Sequence, residues 1–168
     1  MISVGRLEKQ KDFDYLINHF ENTEFSLDIV GDGSLRNELQ KLASTNKNIR
    51  FHGKVNHDVL LNLLSKYVIY LSASELEGSP KSILEAMSQG CIVFTPNSPN
   101  VSEILKHNMN GVIYKKEGSD LINKLNELIA DDVKVKTLQK NSIDWVSKNC
   151  TLEILSKLEF DDYLFALK

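Results

Sequence analysis

Cysteine is scarce in this chain, with two among 168 residues, Cys91 and Cys150, and there is no Cys-x-x-Cys pair or histidine cluster. That excludes a disulfide framework and argues against a zinc site. Cys91 lies in an apolar run and reads as a buried thiol, and both thiols fit a reducing compartment. Charge of one sign is also missing. Lys and Arg number 20 against 23 Asp and Glu, a formal net charge of −3, so no global basic field points to nucleic acid. Any anion site must be local. No apolar run approaches the ~20 residues of a membrane span, and no secretory leader is expected from the opening residues. Internal repeats and low-complexity tracts are absent.

What is present is enough to build a core. Hydrophobic residues make up 42% and charged residues 26%, the balance of one ordered domain spanning 1–168. Short apolar runs alternate with amphipathic stretches. Ile2–Val4 reads as a strand. Asp12–Glu21 reads as a helix with Phe13, Leu16, Ile17 and Phe20 on one face. Phe25–Val30 is the next strand, and Ser34 is placed to cap a helix carrying Leu35, Leu39 and Leu42. Ile49–His52 is a strand ended by Gly53, and Asn56 caps a helix with Val59, Leu60, Leu63 and Leu64. Val68–Leu71 is apolar throughout, as a parallel strand buried on both faces should be. Pro80 opens a helix at its first position and Gly90 stops it near Gln89. Cys91–Phe94, a short helix at Ser102–Lys106 and Gly111–Tyr114 follow. From Ser119 only helices are expected: one marked by Leu121, Leu125 and Leu128, then Val133–Val146 and Leu152–Leu167. These form a helical extension over about 131–168.

Six strands alternating with helices specify an α/β domain, a doubly wound parallel six-stranded sheet with helices on both faces. Met1 runs directly into the apolar stub Ile2-Ser3-Val4-Gly5. A central strand without a lead-in is the expectation for a domain cut from a longer chain, with the methionine added. Ligands of such sheets bind beyond the carboxyl ends of the strands. That singles out four loops: Gly5–Lys11, Gly31–Ser34, Gly53–Asn56 and Ser72–Lys81.

In the first loop Arg6 leaves a strand and Lys11 stands at a helix start, a fork and a point charge suited to a pyrophosphate. Charge alone does not separate this from a pair of solvated surface cations. In the fourth loop, Ser79 and Pro80 open a helix whose free N–H groups face the crevice, and Gly78 permits close backbone approach. Glu85 lies about 7 Å along that helix at 1.5 Å per residue, and Glu77 precedes it. The two carboxylates flank the phosphate position and could accept from sugar and ribose hydroxyls; an exposed loop acid and a helix-surface acid remain the alternatives. Gly31-Asp32-Gly33-Ser34 is explained equally by a phosphate turn or a tight strand-to-helix turn. His19, His52, His57 and His107 are scattered and form no Ser–His–Asp set, and Trp145 reads as packing.

Taken in order, these segments resemble the carboxyl-terminal, donor-binding domain of the GT-B fold retaining glycosyltransferases of group 1, or family 4. The resemblance rests on Ser3-Val4-Gly5-Arg6-Leu7 with Lys11, Val30-Gly31-Asp32-Gly33-Ser34-Leu35-Arg36, Phe51-His52-Gly53-Lys54-Val55 and Asn110-Gly111-Val112-Ile113. Its most specific part is the Glu77 to Glu85 pair within Glu-Gly-Ser-Pro and Leu-Glu-Ala-Met. It covers residues 2 to 130, with a weaker echo in the last helix.

The resemblance implies a nucleotide-diphosphate sugar donor, UDP- or GDP-linked. Arg6, Lys11 and Glu77 take the catalytic roles, the cations on the diphosphate and Glu77 on the donor sugar. Gly5, Gly31, Gly53, Val55, Gly78, Ser79, Pro80, Lys81, Ser82 and Glu85 contribute to binding, with Glu85 on the ribose and the Gly53–Val55 loop at the base. It also implies no cofactor and no metal. Ser98-Pro99-Asn100-Val101-Ser102-Glu103 stands where the family often carries Gly-Gly-x-Pro-Glu, and only Glu103 matches. Ser79 replaces a frequent bulky apolar residue.

The partners implied are the donor and an amino-terminal acceptor domain outside this chain, through which a membrane-associated acceptor would be met. Nucleic acid is not among them. Location is expected in the cytoplasm, at the inner face of the membrane, in surface glycan or glycolipid synthesis. The fragment alone is expected to transfer no sugar. Two other readings are a sugar-nucleotide epimerase of the same architecture, for which no acid/base motif is found, and a non-catalytic nucleotide-binding or interaction module, which would tolerate changes at Arg6, Lys11 and Glu85.

Overall fold

A computed structural model describes residues 1–75 and 80–150. Six parallel strands form one sheet: β1 (Ile2–Val4), β2 (Leu27–Val30), β3 (Ile49–Gly53), β4 (Ile69–Leu71), β5 (Ile92–Pro96) and β6 (Val112–Tyr114). Their order is β3-β2-β1-β4-β5-β6. The helices are α1 (Phe13–Phe20), α2 (Arg36–Leu42), α3 (His57–Leu64), α4 (Lys81–Ser88), α5 (Pro99–Ile104), α6 (Asp120–Ile129) and α7 (Asp132–Asn149). This is the expected doubly wound sheet. The chain moves outward from β1 through β2 and β3, then returns to place β4 on the other side of β1. That reversal opens a crevice beyond the β1 and β4 carboxyl ends.

The sheet divides the core in two. On one face Leu16, Ile17 and Phe20 of α1, Leu39 of α2 and Leu121, Leu125 and Leu128 of α6 pack with Leu27, Ile29, Ile69 and Phe94. On the other, Leu64 of α3, Ile83, Ala86 and Met87 of α4 and Val101 of α5 pack with Ile2, Tyr70 and Val93. Strand residues supply alternate side chains to the two layers, so every position of β2, β4 and β5 is buried. The run of apolar residues, rather than an alternation, is what such a sheet demands. Trp145 packs against the second layer, as expected.

Several boundaries differ from expectation. α5 begins at Pro99 instead of Ser102, because proline with its fixed φ and missing N–H fits the first helical position. Pro80, in contrast, is the N-cap of α4 and not its first residue. Ser34 does not cap α2. Leu35 stands there, and Ser34 is spent on Glu8 through its amide (3.0 Å) and hydroxyl (2.8 Å). β2 begins two residues later than expected, at Leu27, and β5 runs to Pro96. α7 is longer than Val133–Val146 because the Asp131 carboxylate accepts from the Lys134 amide at 2.9 Å and caps it. Asn56 caps α3 as expected, accepting from the Val59 amide at 2.9 Å. Gly90 follows α4 with φ +80°, the left-handed stop that glycine allows. The expected helix Leu152–Leu167 lies outside the described residues, as do Glu77, Gly78 and Ser79.

Candidate functional site

The loops after β1, β2 and β3 are laced together by main-chain bonds. The Gly5 amide donates to the Val30 carbonyl (3.0 Å), Leu7 to Asp32 (3.0 Å), Leu35 back to Leu7 (3.0 Å) and Gly31 to Gly53 (2.9 Å). The glycines make this approach possible. Gly31 has φ +143°, and a Cβ there would be driven into the Gly5 carbonyl oxygen; at Gly33 it would stand 2.5 Å from the Leu7 oxygen. Gly31-Asp32-Gly33 is therefore a tight turn by physical necessity. Its Gly31 amide is committed to Gly53, so it is not offered to a phosphate. Glu8 completes the lacing, and the Ser34 amide and hydroxyl hold its carboxyl below the ordinary range.

This scaffold presents two cations. Arg6 leaves the end of β1 exposed to solvent. Lys11 closes a 3-10 turn, Lys9–Lys11, and its stem passes Gly5 so closely that a Cβ on the glycine would lie 3.5 Å from Lys11 Cδ. A cleft of about 460 Å³ opens beside them, lined by Val4, Gly5, Arg6, Gly31, Lys54 and Val55 among others. Gly53, at φ +69°, sits under the Arg36 guanidinium, and a Cβ there would meet Nη2 at 3.7 Å. Arg36 in turn pairs with Asp32 at 3.5 Å. Three of the four loops singled out in the sequence thus meet at one cleft.

α4 is joined to this scaffold by side chains. The Glu85 side chain is 14% exposed, with Oε1 3.4 Å from His57 Nδ1 and 3.7 Å from Lys81 Nζ. Lys81 itself projects into solvent at 77% exposure, and among the described residues its ion-pair partner is Glu85. Tyr70 fastens α4 to the sheet. Its hydroxyl lies 3.1 Å from the Val4 carbonyl and 2.9 Å from Ser82 Oγ; donating to the carbonyl leaves the phenol oxygen to accept from Ser82. Ser82 is therefore engaged with the β1 end. Pro80, Lys81 and Ser82 form the start of α4, whose first amides lack intrahelical partners by geometry.

Two features escaped the sequence reading. His57 reaches Glu85 across the α3–α4 gap, a tertiary contact with no local signal. Lys116, after β6, pairs with Asp12 beside the cation loop and comes within 3.7 Å of Glu75. In the Ser98–Glu103 segment, Ser98 is the N-cap of α5 and the rest forms all of that helix but its last residue. The Ser98 hydroxyl is buried and has no hydrogen-bond partner among the described residues. Glu103 is exposed. Among the described residues no group of three His, Cys, Asp or Glu side chains is placed to hold a metal ion, and no helix is long and apolar enough to cross a membrane.

Comparison with known proteins gives a consistent result. The family described as glycosyl transferases group 1 matches residues 1–145. A GtfA subunit of the UDP-N-acetylglucosamine–peptide N-acetylglucosaminyltransferase of Streptococcus agalactiae is 28% identical over 126 residues, 71% of this chain and 25% of that protein. The Anabaena HepE crystal structure, in complex with UDP and glucose, superposes with TM-score 0.86 at 20% identity, over 96% of this chain and 47% of that one. The carboxyl-terminal domain of LpcC, a glycosyl transferase group 1 family protein from Francisella tularensis, gives TM-score 0.77 at 24% identity, over 90% of this chain and 86% of that one. The chain therefore spans a quarter of the streptococcal relative and about half of HepE, but nearly all of a domain with the same fold.

Proposed function

This chain belongs to the glycosyl transferases group 1, and from that premise we propose that it is the donor-binding domain of a retaining glycosyltransferase. The reaction moves a sugar from a UDP- or GDP-sugar to an acceptor in surface glycan or glycolipid synthesis at the cytoplasmic face of a membrane. The acceptor is bound by a domain outside this chain. The observation that carries the reading is the convergence of Gly5 and Arg6, Gly31 and Asp32, and Lys54 and Val55 on one cleft beside the β1–β4 reversal, with α4 fastened to the β1 end through Tyr70 and Ser82. That HepE was crystallised with UDP and glucose supports it.

The roles follow from charge and place. Arg6 and Lys11 face the diphosphate and stabilise the negative charge that builds on the departing nucleotide. The first amides of α4 add dipolar support. Glu85, an acceptor-only group when ionised, takes the ribose hydroxyls, with His57 at 3.4 Å limiting its orientation. Val55 and Gly53 border the base, and Glu77 is assigned to the donor sugar. With two cations at the diphosphate, no divalent metal is required of this half of the site. The chemistry is positional and electrostatic.

A thermal-shift and calorimetry panel with UDP, GDP and ADP tests this. Ligand at about 100 times its Kd adds ~2.7 kcal/mol to the folded state, a rise of roughly 5–10 °C for a domain of this size. One base should give that shift, and Arg6→Ala and Glu85→Ala should each remove it while leaving the unliganded melting temperature within about 2 °C. The 168-residue chain alone should transfer no sugar. Absence of a shift with every nucleotide would favour a non-catalytic module.

A further inference from the structure

Among the described residues only Asp12 and Asn108 hold a left-handed backbone without being glycine. Asp12, at φ 50° and ψ 47°, is the residue that ends the Lys9–Lys11 turn and immediately precedes α1. A side chain in that region costs roughly 1–2 kcal/mol, less for Asp than for most, so the surroundings must hold it there. Lys11 stands directly before this hinge, with its amide on the Glu8 carbonyl at 2.9 Å and the Asp12 amide on the Lys9 carbonyl at 3.2 Å, so the hinge joins the Lys11 turn to α1.

What holds it comes from the far side of the sheet. Lys116, two residues beyond β6, places Nζ on the Asp12 carboxylate. Its side chain is 16% exposed and lies over the Tyr15 ring, 5.0 Å from the centroid, with the Glu75 carboxylate 3.7 Å away. Tyr15 is itself stacked between His19 (3.9 Å) and Tyr114 (6.1 Å). One ammonium therefore joins the loops after β1, β4 and β6 against an aromatic floor. It stands beside a cleft of about 340 Å³ also lined by Lys9, Gln10 and Asp14. Burial, together with the adjacent Asp12 carboxylate, raises the Asp14 carboxyl above its ordinary range, so this is a crowded acidic corner in which Lys116 has the cationic role.

We propose that Lys116 is a positioning residue for the diphosphate site: it fixes Asp12 in the left-handed conformation and thereby sets where Lys11 stands. The proposal rests on the donor-binding reading above for its functional consequence, and on the backbone geometry alone for the anchoring. Lys116 acts through Asp12. A residue with no side chain to anchor reaches the same backbone region freely, so Asp12→Gly should make Lys116 dispensable. A purely electrostatic role for Lys116 would leave no such escape.

The test uses the full chain and the pair UDP and UMP, or GDP and GMP if the chain takes guanine. Both members share base and ribose and differ in the β-phosphate. Lys116→Met is expected to lower the diphosphate preference, Kd(UMP)/Kd(UDP), by about tenfold while UMP affinity holds. Lys116→Arg should retain the preference. Asp12→Gly should bind as wild type, and Asp12→Gly combined with Lys116→Met should recover most of the loss, a coupling of about 1.4 kcal/mol for a tenfold recovery. Equal loss of UMP and UDP, or failure of Asp12→Gly to restore the preference, would overturn the proposal. Should the wild-type chain bind no nucleotide, the donor reading fails separately. Amide spectra then decide the anchoring: Lys116→Met must shift the Gly5–Phe13 amides, with Asp12→Gly suppressing the change, and unmoved amides refute it. If Lys116→Met does not fold, Lys116→Gln and the Arg variant carry the same comparison.

Discussion

Asp28 offers the sharpest test of the forces within the fold. It lies in β2 with a side chain 1% exposed, yet it is a carboxylate in an otherwise apolar layer. Four bonds converge on it: Arg50 Nε at 2.9 Å and Nη2 at 3.0 Å, His52 Nε2 at 2.8 Å and the Tyr67 hydroxyl at 2.6 Å. Because the carboxylate can only accept, the His52 ring must donate through Nε2. Burial alone would raise the Asp28 carboxyl, but the donors Tyr67, His52 and Arg50 together outweigh it and hold it below the usual carboxylate range. The same contact pushes the Tyr67 phenol up to about 12, after the larger effect of its own burial.

Asp28→Asn keeps the shape and removes the charge. Arg50 is 65% exposed, so its pair contributes little net. The loss falls on the Tyr67 and His52 bonds, each weakened by about 1 kcal/mol without the charge, plus a similar penalty for an amide N–H₂ turned toward a donor. The expected cost is about 2–3 kcal/mol, or roughly 5–10 °C in melting temperature. The sign of its pH dependence is fixed. A carboxyl with a depressed folded value contributes stability that is present above the unfolded value of about 3.9 and lost as pH falls through the folded one. Urea unfolding of both proteins should therefore show a constant gap from pH 7 to about 5, narrowing below about 4. A gap under 0.5 kcal/mol at pH 7, or one unchanged at pH 3, would show that the Asp28 charge does not hold this network.

Two further outcomes follow from the packing. Gly31→Ala should destabilise the domain by about 3 kcal/mol, since it meets both an unfavourable φ of +143° and the Gly5 carbonyl; nucleotide affinity should fall with it, read by calorimetry at a temperature where the variant remains folded. Cys91 is fully buried, its thiol pushed up to about 12 by burial, with Sγ donating toward the Leu64 and Tyr67 carbonyls at 3.3 and 3.4 Å. A disulfide-exchange reagent at pH 8 should therefore leave Cys91 unmodified until urea unfolds the chain, whereas rapid labelling of the native protein at Cys91, located by peptide mapping, would contradict the burial.

The fold was legible because its signals are local and repeated. Apolar runs such as Ile92-Val93-Phe94 and the periodic Phe13, Leu16, Ile17 and Phe20 name their elements without reference to anything distant. Caps were readable where a side chain acts on its own helix, as at Asn56, and misread where it acts elsewhere, as at Ser34, whose partner Glu8 is 26 residues away. The same division holds at the site. Arg6, Lys11 and Glu85 could be placed at strand ends and a helix start from the chain alone. His57 beside Glu85 and Lys116 on Asp12 could not, because one joins two helices and the other spans 104 residues of sequence. The Asp28 network was invisible for a similar reason. Its four members read as an acid, a base, a histidine and a tyrosine until the β2–β3 register sets Asp28 opposite Arg50.

The two walls of the crevice are built by different means, and this bears on how the site can be perturbed. On the β1–β3 side, glycine contacts and amide-to-carbonyl bonds join three loops, with the Glu8 carboxylate on Ser34 adding a side-chain tie, so that wall exists before any ligand arrives. On the α4 side, Glu85 and Ser82 are held by side chains alone, through His57, Lys81 and Tyr70. On the function proposed above, a backbone-laced wall suits a diphosphate, whose charge must be met by groups that do not reorganise as it builds. A wall tuned by side chains suits hydroxyl recognition, where a change of one neighbour alters which donor fits without unmaking the scaffold. Lys116 is the exception on the first wall. As proposed above, it acts on the cation loop through its side-chain contact with Asp12. Its removal should therefore be felt on the diphosphate side alone, while the α4 side, held through Tyr70, His57 and Lys81, keeps its grip on the ribose.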